Sequence, residues 1–216
     1  EDISKDIVSK LKNHEDFRKL FSNFLYEIGY NKGGTFWDRF VVRVAPAENN
    51  LPYREASRIN IHRDTWGTNL YQQINWWAPV SNVEEKNTMI FYPDYFDVPV
   101  KNTTSTWDLN IYLANRKKGD FSYPSAPQLK EDLPSNIKKI PVTIKPGEIL
   151  CFSGAHLHSS SKEKSENTRI SFEIRTICEN DLNSSAQAPN VDCDLQWKFP
   201  KIFKKINDNS PLKITS

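Results

Sequence analysis

The sequence predicts a mainly β fold, a sandwich or jelly roll, with N-terminal helices packed outside it and one helix inserted among the strands. Three observations predict this. Apolar residues in the first thirty positions recur at helical spacing. From residue 35 to 180, short β-branched and aromatic runs are separated by Pro, Gly and Asn. Only one stretch inside that β region has a helical pattern. A parallel α/β sheet would need helices alternating with the strands, and a single inserted helix is too few for it.

Ile3, Ile7 and Leu11 repeat every fourth position, and Phe17, Leu20, Phe21, Phe24, Leu25 and Ile28 form a second apolar stripe, so residues 1–34 make a helical layer. Asn13 and His14 divide it into two helices, and Gly29 and Gly33-Gly34 end the second. Residues 35–180 form the jelly-roll core. Its strands are expected at 36–45, 58–61, 71–80, 89–92, 140–144, 148–152 and 168–177, with Lys145-Pro146-Gly147 as a tight turn. The inserted helix is expected at 105–118, with Ser105 as N-cap and Asp108 three residues on in a variant capping box. The Pro-rich segment 119–134 is long enough to act as a lid. Residues 181–216 read as an irregular tail, and the whole of 1–216 as one domain.

Several function classes drop out early. Basic and acidic residues nearly balance, 29 against 27, with no dense basic block, so nucleic acid is not an expected partner. The Lys-rich stretch 198–205 reads as a solvated tail. Cys151, Cys178 and Cys193 contain no CxxC pair, which excludes a zinc knuckle or thioredoxin-type site; a Cys178–Cys193 bond would form only in an oxidising compartment. No apolar run approaches the roughly 20 residues of a membrane span. Glu1-Asp2-Ile3-Ser4 has no basic-then-apolar leader pattern, so a cytoplasmic location is expected, without a membrane partner. Asn102-Thr103-Thr104 and Asn183-Ser184-Ser185 fit the glycosylation pattern, as such triplets do by chance in a chain rich in Asn and Ser.

The residues that carry chemistry are His62-Arg63-Asp64 and, on a distant strand, His158. In extended backbone, side chains two apart point the same way, so His62 and Asp64 can hold one metal together, with a second imidazole completing one face of an octahedron. Two His and one carboxylate on a face leave three positions open and select ferrous iron. His156, two before His158, falls on the same strand face and is the competing ligand. Arg169 and Ser171 alternate on one face of the last strand while Ile170, Phe172 and Ile174 occupy the other. A guanidinium fork with an adjacent hydroxyl suits the far end of a dicarboxylate.

His62-Arg63-Asp64…His158…Arg169-x-Ser171 resembles the iron(II)/2-oxoglutarate-dependent oxygenases. The eleven-residue step from His158 to Arg169 is similar to their phytanoyl-CoA dioxygenase-like branch. His62-Arg63-Asp64-Thr65-Trp66, Gln73-Ile74-Asn75-Trp76-Trp77, Phe152-Ser153-Gly154-Ala155-His156-Leu157-His158-Ser159 and Ala188-Pro189-Asn190-Val191-Asp192 resemble a bacterial natural-product-cluster subgroup of the streptomycin-cluster protein type. The resemblance covers residues 54–192. It implies a double-stranded β-helix with iron at its open end, and a dioxygenase that consumes dioxygen and 2-oxoglutarate to oxidise, by hydroxylation, a small organic substrate. It implies His62, Asp64 and His158 as iron ligands, His158 being preferred to His156 by the step to Arg169 and by the Ser that follows. Arg169, helped by Ser171 or Ser160, would hold the 5-carboxylate of 2-oxoglutarate. Related halogenases lack the carboxylate ligand, so Asp64 points to hydroxylation, desaturation or ring formation.

Trp66, Asn75, Trp77, His156 and Arg175 are candidate substrate contacts, with Arg43 and Tyr92 behind them. Arg175 entering the cavity would suit an anionic substrate. Alternation puts Trp77 with Gln73 and Asn75 on the polar face, whereas the resemblance puts the Trp nearest 2-oxoglutarate at Trp76. The competing functions are a peptide hydroxylase of the same chemistry and a non-catalytic metal-binding jelly roll. Cupins use more His and a Glu than this chain's four His allow. A nucleic-acid demethylase would have Asn and Thr where Ser171 and Glu173 stand.

Overall fold

The computed structural model describes residues 10, 14–30, 34–38, 40–47, 59–120, 122–161, 163, 165–184 and 186–214. The helix expected around Ile3, Ile7 and Leu11, and Arg58 of the second expected strand, lie outside the described residues. The fold is mostly antiparallel sheet with few helices. The larger sheet has the order β6-β3-β8-β1-β9, with β2 also pairing β8; the smaller is β5-β4-β7. The strands are β1 (Thr35–Trp37), β2 (Val41–Ala45), β3 (Ile74–Pro79), β4 (Met89–Phe91), β5 (Ile140–Pro141), β6 (Leu150–Ser153), β7 (His158–Ser160), β8 (Arg169–Cys178) and β9 (Lys204–Lys205). Every strand pair is antiparallel.

The longest strand, β8, organises both layers because its side chains alternate between faces. Phe172 and Ile174 face α1 (Glu15–Glu27), which buries Phe21 and Leu25 against them together with Phe40, Trp76 and Ile206. Each of those two helix side chains contributes about 1.5–3 kcal/mol by leaving water. Trp76 settles the tryptophan question from this side. Its ring meets Phe24 and Tyr30 edge-on at 5.6 and 5.5 Å, and its Nε1 donates to Thr176 Oγ1 at 2.8 Å. The inner face of the larger sheet meets the smaller one through Trp77, Met89, Val142 and Phe152, with Phe91 edge-on to Phe152 at 5.0 Å.

The strand expected over 36–45 is interrupted. Trp37 pairs with Thr176 and Val41 with Glu173, so three residues oppose two and the strand bulges at Asp38. The bulge turns the Asp38 carboxylate onto Arg175. The tail is less loose than its composition suggests: β9 extends the sheet beside β1, and Phe203 and Leu212 fill a cluster with Phe36, Leu70 and Ile177. The three cysteines are free. Asn102 is buried, its amide donating to Val100 O and Asp192 O, so the first glycosylation triplet is inaccessible.

The inserted helix, α3 (Leu109–Lys117), starts later than expected. Asp108 is its N-cap and accepts from Asn110 N at 2.6 Å and Ile111 N at 3.1 Å. Residues before it close a turn through Thr106 N and Trp107 N onto Thr103 O, which removes Ser105 from the capping position. Asp108→Ala should cost the helix about 1 kcal/mol. Faster amide exchange at Asn110 and Ile111 is the readout, and unchanged exchange would mean the cap contributes nothing. The segment expected as a lid is fastened instead: Gln128 N donates to Thr103 Oγ1, Lys130 N to Lys101 O, and Trp107 Nε1 to Pro124 O. Among the described residues no helix is long and apolar enough to cross a membrane.

Candidate metal centre

His62 and His158 are brought together by the backbone. Each donates its N–H to the other's carbonyl, at 2.9 and 3.0 Å, in an isolated antiparallel bridge, and directly opposed residues carry their side chains on one side. The ring centroids are 4.3 Å apart. His62 Nδ1 lies 2.8 Å from Asn60 O and His158 Nδ1 lies 2.9 Å from His156 O. A carbonyl only accepts, so both Nδ1 atoms carry the proton and both Nε2 lone pairs face the centre.

Asp64 follows at the start of α2 (Thr65–Thr68), with Oδ1 3.7 Å from His62 Nε2 and Oδ2 3.6 Å from His158 Nε2. Those distances exceed a hydrogen bond, yet one ion would span them. Among the described residues this is the one group of three or more potential ligands whose donor atoms converge, all within 4.8 Å. Burial opposes ionisation of Asp64, but His62, His158 and Arg175 outweigh it and hold the carboxyl well below its usual range. Burial and the neighbouring His62 push His158 down to about 4. Neutral imidazole and ionised carboxylate are the forms that ligate a cation. Two nitrogens and one oxygen on a single face fit ferrous iron.

His156 lies outside this group, its ring 4.5 Å from Phe96 and 5.6 Å from Phe91. Phe91 and Phe152 also flank His158, at 5.9 and 5.4 Å, so an aromatic wall borders the centre. The opposite wall is charged. Arg43 grips Glu173 with two bonds, Nε to Oε2 at 2.9 Å and Nη2 to Oε1 at 3.1 Å. Arg175 donates Nε to Asp38 Oδ2 at 2.6 Å and pairs with the same carboxylate through Nη2, while Nη1 stands 3.9 Å from Asp64 Oδ1.

Arg169 and Ser171 complete that face of β8. Arg169 is 3% exposed and Ser171 fully buried, yet Arg169 Nε and Ser171 Oγ have no hydrogen-bond partner. Such orphans cost about 1–3 kcal/mol each, a cost that a ligand with acceptor atoms would relieve. Burial and nearby Arg43 push Arg169 down to about 10, leaving it charged, and its guanidinium sits 5.8 Å from the Trp77 ring. Trp77 is therefore the inward tryptophan, as alternation implied.

Five expected site residues have partners of their own. Trp66 does not reach the cavity: it is fully buried among Tyr92, Leu157, Cys193 and Leu195, and its Nε1 donates to Asp192 at 2.7 Å. Tyr92 lies in the same cluster, its hydroxyl tied to Ser159 Oγ at 3.0 Å. Asn75 points at the centre, but its amide is committed to Asp64 Oδ2. Arg175 is held by Asp38. Ser160 Oγ accepts from Ile59 N at 3.2 Å and keeps its own proton to donate, whereas Ser171 Oγ has no partner.

The residues to which the sequence assigned no role are Asp38, Gln73, Thr68, Gly154 and Asp192. Gln73 had a visible signal, since it shares the alternating face of Asn75. Asp38 had none, because it meets its arginine 137 residues away; Asp192 ended the Ala188–Asp192 motif, but nothing there pointed to Arg63, 129 residues away.

No protein-family model matches the chain, and no curated protein does. Solved structures that it resembles include a non-heme monooxygenase, ThoJ in its apo form, at TM-score 0.45 and 14% identity, covering 68% of this chain and 47% of that one. EvdO2 from Micromonospora carbonacea var. aurantiaca, complexed with 2-oxoglutarate, gives 0.49 and 12%, covering 89% and 71%. The non-heme alpha ketoglutarate dependent carbocyclase SnoK from nogalamycin biosynthesis gives 0.47 and 14%, covering 89% and 72%. The chain thus spans about half the length of ThoJ.

Proposed function

We propose that this chain is an iron(II)- and 2-oxoglutarate-dependent dioxygenase that hydroxylates a small organic substrate. The observation that carries the reading is the orphaned pair, Arg169 Nε and Ser171 Oγ, on the same inward face of the sheet that flanks the His62–Asp64–His158 centre. Charge supports it. Arg43 with Glu173 and Arg175 with Asp38 are internally neutral. Asp64, Arg169 and a ferrous ion together leave two positive charges, which one dicarboxylate cancels.

In this reading the two-sheet sandwich is a double-stranded β-helix of the phytanoyl-CoA dioxygenase-like branch, close to the streptomycin-cluster subgroup, with the substrate entering at the open end. His62, Asp64 and His158 hold the metal. Arg169 and Ser171 bind the distal carboxylate of 2-oxoglutarate, and Trp77 packs against that guanidinium. The aromatic wall at Phe91, Phe152 and His156 keeps water from the side of His158. Bound iron supplies the oxygen activation, which the side chains orient. Asp64 fills the position a halide would need, so hydroxylation is favoured over halogenation.

The test is anaerobic titration of the metal-free protein with iron(II) and 2-oxoglutarate, following the weak visible charge-transfer band of the chelate. The band should need both additions and vanish in His158→Ala and Asp64→Ala. Its absence in correctly folded wild-type protein would overturn the oxygenase reading and leave a metal-binding jelly roll.

A further inference from the structure

Behind Asp64 runs a chain of polar side chains that metal binding alone does not require. Thr68 Oγ1 donates to Gln73 Oε1 at 3.1 Å, Gln73 Nε2 donates to Asn75 Oδ1 at 2.9 Å, and Asn75 Nδ2 donates to Asp64 Oδ2. Thr68, Gln73 and Asn75 are 2%, 0% and 1% exposed, so water cannot replace any of these bonds. A carboxylate has no proton to give, which fixes the direction of donation from that end. Asn75 must turn its NH2 to Asp64 and its oxygen to Gln73; Gln73 must then turn its oxygen to Thr68.

Two further features serve the same chain. A Cβ on Gly154 would lie 2.7 Å from Gln73 Nε2 and 3.4 Å from Asn75 Oδ1, so a side chain there would push the amides apart. Gly154 also ties both ends of the arrangement, donating its N–H to Gln73 O at 3.0 Å and accepting from Thr65 N at 3.2 Å. The two oxygens of Asp64 are therefore unequal. Both oxygens lie near a candidate ligand nitrogen, Oδ2 3.6 Å from His158 Nε2 and Oδ1 3.7 Å from His62 Nε2, but only Oδ2 accepts a hydrogen bond, from Asn75; Arg175 Nη1 is 3.9 Å from Oδ1, beyond hydrogen-bond range.

We infer that the Thr68–Gln73–Asn75 chain is a positioning device that makes Asp64 a one-oxygen ligand through Oδ1. The inference rests on the metal-centre reading above. Its consequence is a count of coordination positions. Three protein atoms leave three positions of an octahedron, two for a chelating 2-oxo acid and one for dioxygen. An Asp64 free to bind with both oxygens would occupy one of those three. Asn75 and Gln73 thus protect the open face without touching substrate.

The probe is cobalt(II), which needs no turnover. Wild type should bind it with a visible d–d band that disappears in His158→Ala. Asn75→Leu, which keeps the volume but cannot donate, should weaken cobalt binding by about 10- to 100-fold and alter the band's intensity as the coordination number changes. 2-Oxoglutarate should also perturb the cobalt spectrum of this variant less. A double variant, Asn75→Leu with Gln73→Leu, removes both ends of a buried bond and should recover thermal stability without recovering cobalt affinity. A purely structural role would recover both. Where Asn75→Leu does not fold, Gln73→Glu decides in its place, because a carboxylate cannot donate to Asn75. Cobalt affinity within twofold of wild type and an unchanged band, in either folded variant, would overturn the inference while leaving the metal centre standing. No His158-dependent binding in wild type would overturn both.

Discussion

Asp192→Ala should destabilise the protein by about 3–5 kcal/mol, because it leaves a buried charge without its partner. Arg63, in the middle of the ligand triplet, points away from the metal centre into a closed pocket. Its Nε meets Asp192 Oδ2 at 3.1 Å, its Nη1 meets Ala155 O at 2.6 Å, and its Nη2 meets Tyr95 O at 2.6 Å and Val98 O at 3.0 Å. The same carboxylate accepts from Trp66 Nε1 and, at 3.1 Å, from Val100 N. Side-chain exposure is 2% for Arg63 and 4% for Asp192, so solvent screens almost nothing. Alanine would strand a guanidinium among neutral carbonyls and an indole N–H with no acceptor. The urea midpoint should fall with an unchanged slope. A loss below about 1 kcal/mol would show that water enters the pocket and that the tail is not clamped there in solution.

Arg169→Met should have a smaller effect on the fold and a larger one on the co-substrate. Losing one side of a buried, hydrogen-bonded charge pair costs about 2–5 kcal/mol, so 2-oxoglutarate affinity should drop by about 30-fold to several thousand-fold. The ligand-free protein should be no less stable than wild type. Nε has no partner before the ligand arrives, and methionine would fill the volume without that desolvation cost. Thermal unfolding with and without 2-oxoglutarate, in the presence of manganese(II), reads both effects at once. A variant that is markedly destabilised without ligand would mean that Arg169 is a structural ion-pair member. One that keeps the full ligand-induced shift would remove it from the binding site.

The parts legible in the sequence were those set by short-range geometry. His62 and Asp64 share a face because they are two apart, and alternation set Trp77 beside Gln73 and Asn75, although the resemblance pointed to Trp76 and left the pair open. The helix α1 followed from the stripe of Phe17, Phe21, Phe24 and Leu25, with the turn of chain at Gly29, where φ is +95°, marking its end. The illegible parts depend on distant partners or on one-residue register shifts. Arg175 looked available for an anionic substrate because Asp38 reaches it only through a bulge, which adds a single residue to one strand. Trp66 looked like a pocket residue because nothing near it announces Asp192. The cap of α3 moved from Ser105 to Asp108 because Thr103 captured the preceding turn, a competition between neighbouring hydroxyls and carboxylates that composition does not decide.

The clamp at Asp192 also sets a timetable for biogenesis. The ribosome delivers His62 and Asp64 early and His158 much later, and a chain emerging at about 5–20 residues per second could gather all three while Asp192 is still in the exit tunnel. During that interval Arg63 has its carbonyls but not its carboxylate, and Phe203 and Leu212 have not yet filled the space beside β1. The three candidate ligands are thus made before the scaffold that holds them in register. Under the proposed metal reading, loading would be productive only after translation of the C-terminal segment, and a prematurely terminated chain would carry His62, Asp64 and His158 without the Asp192 clamp.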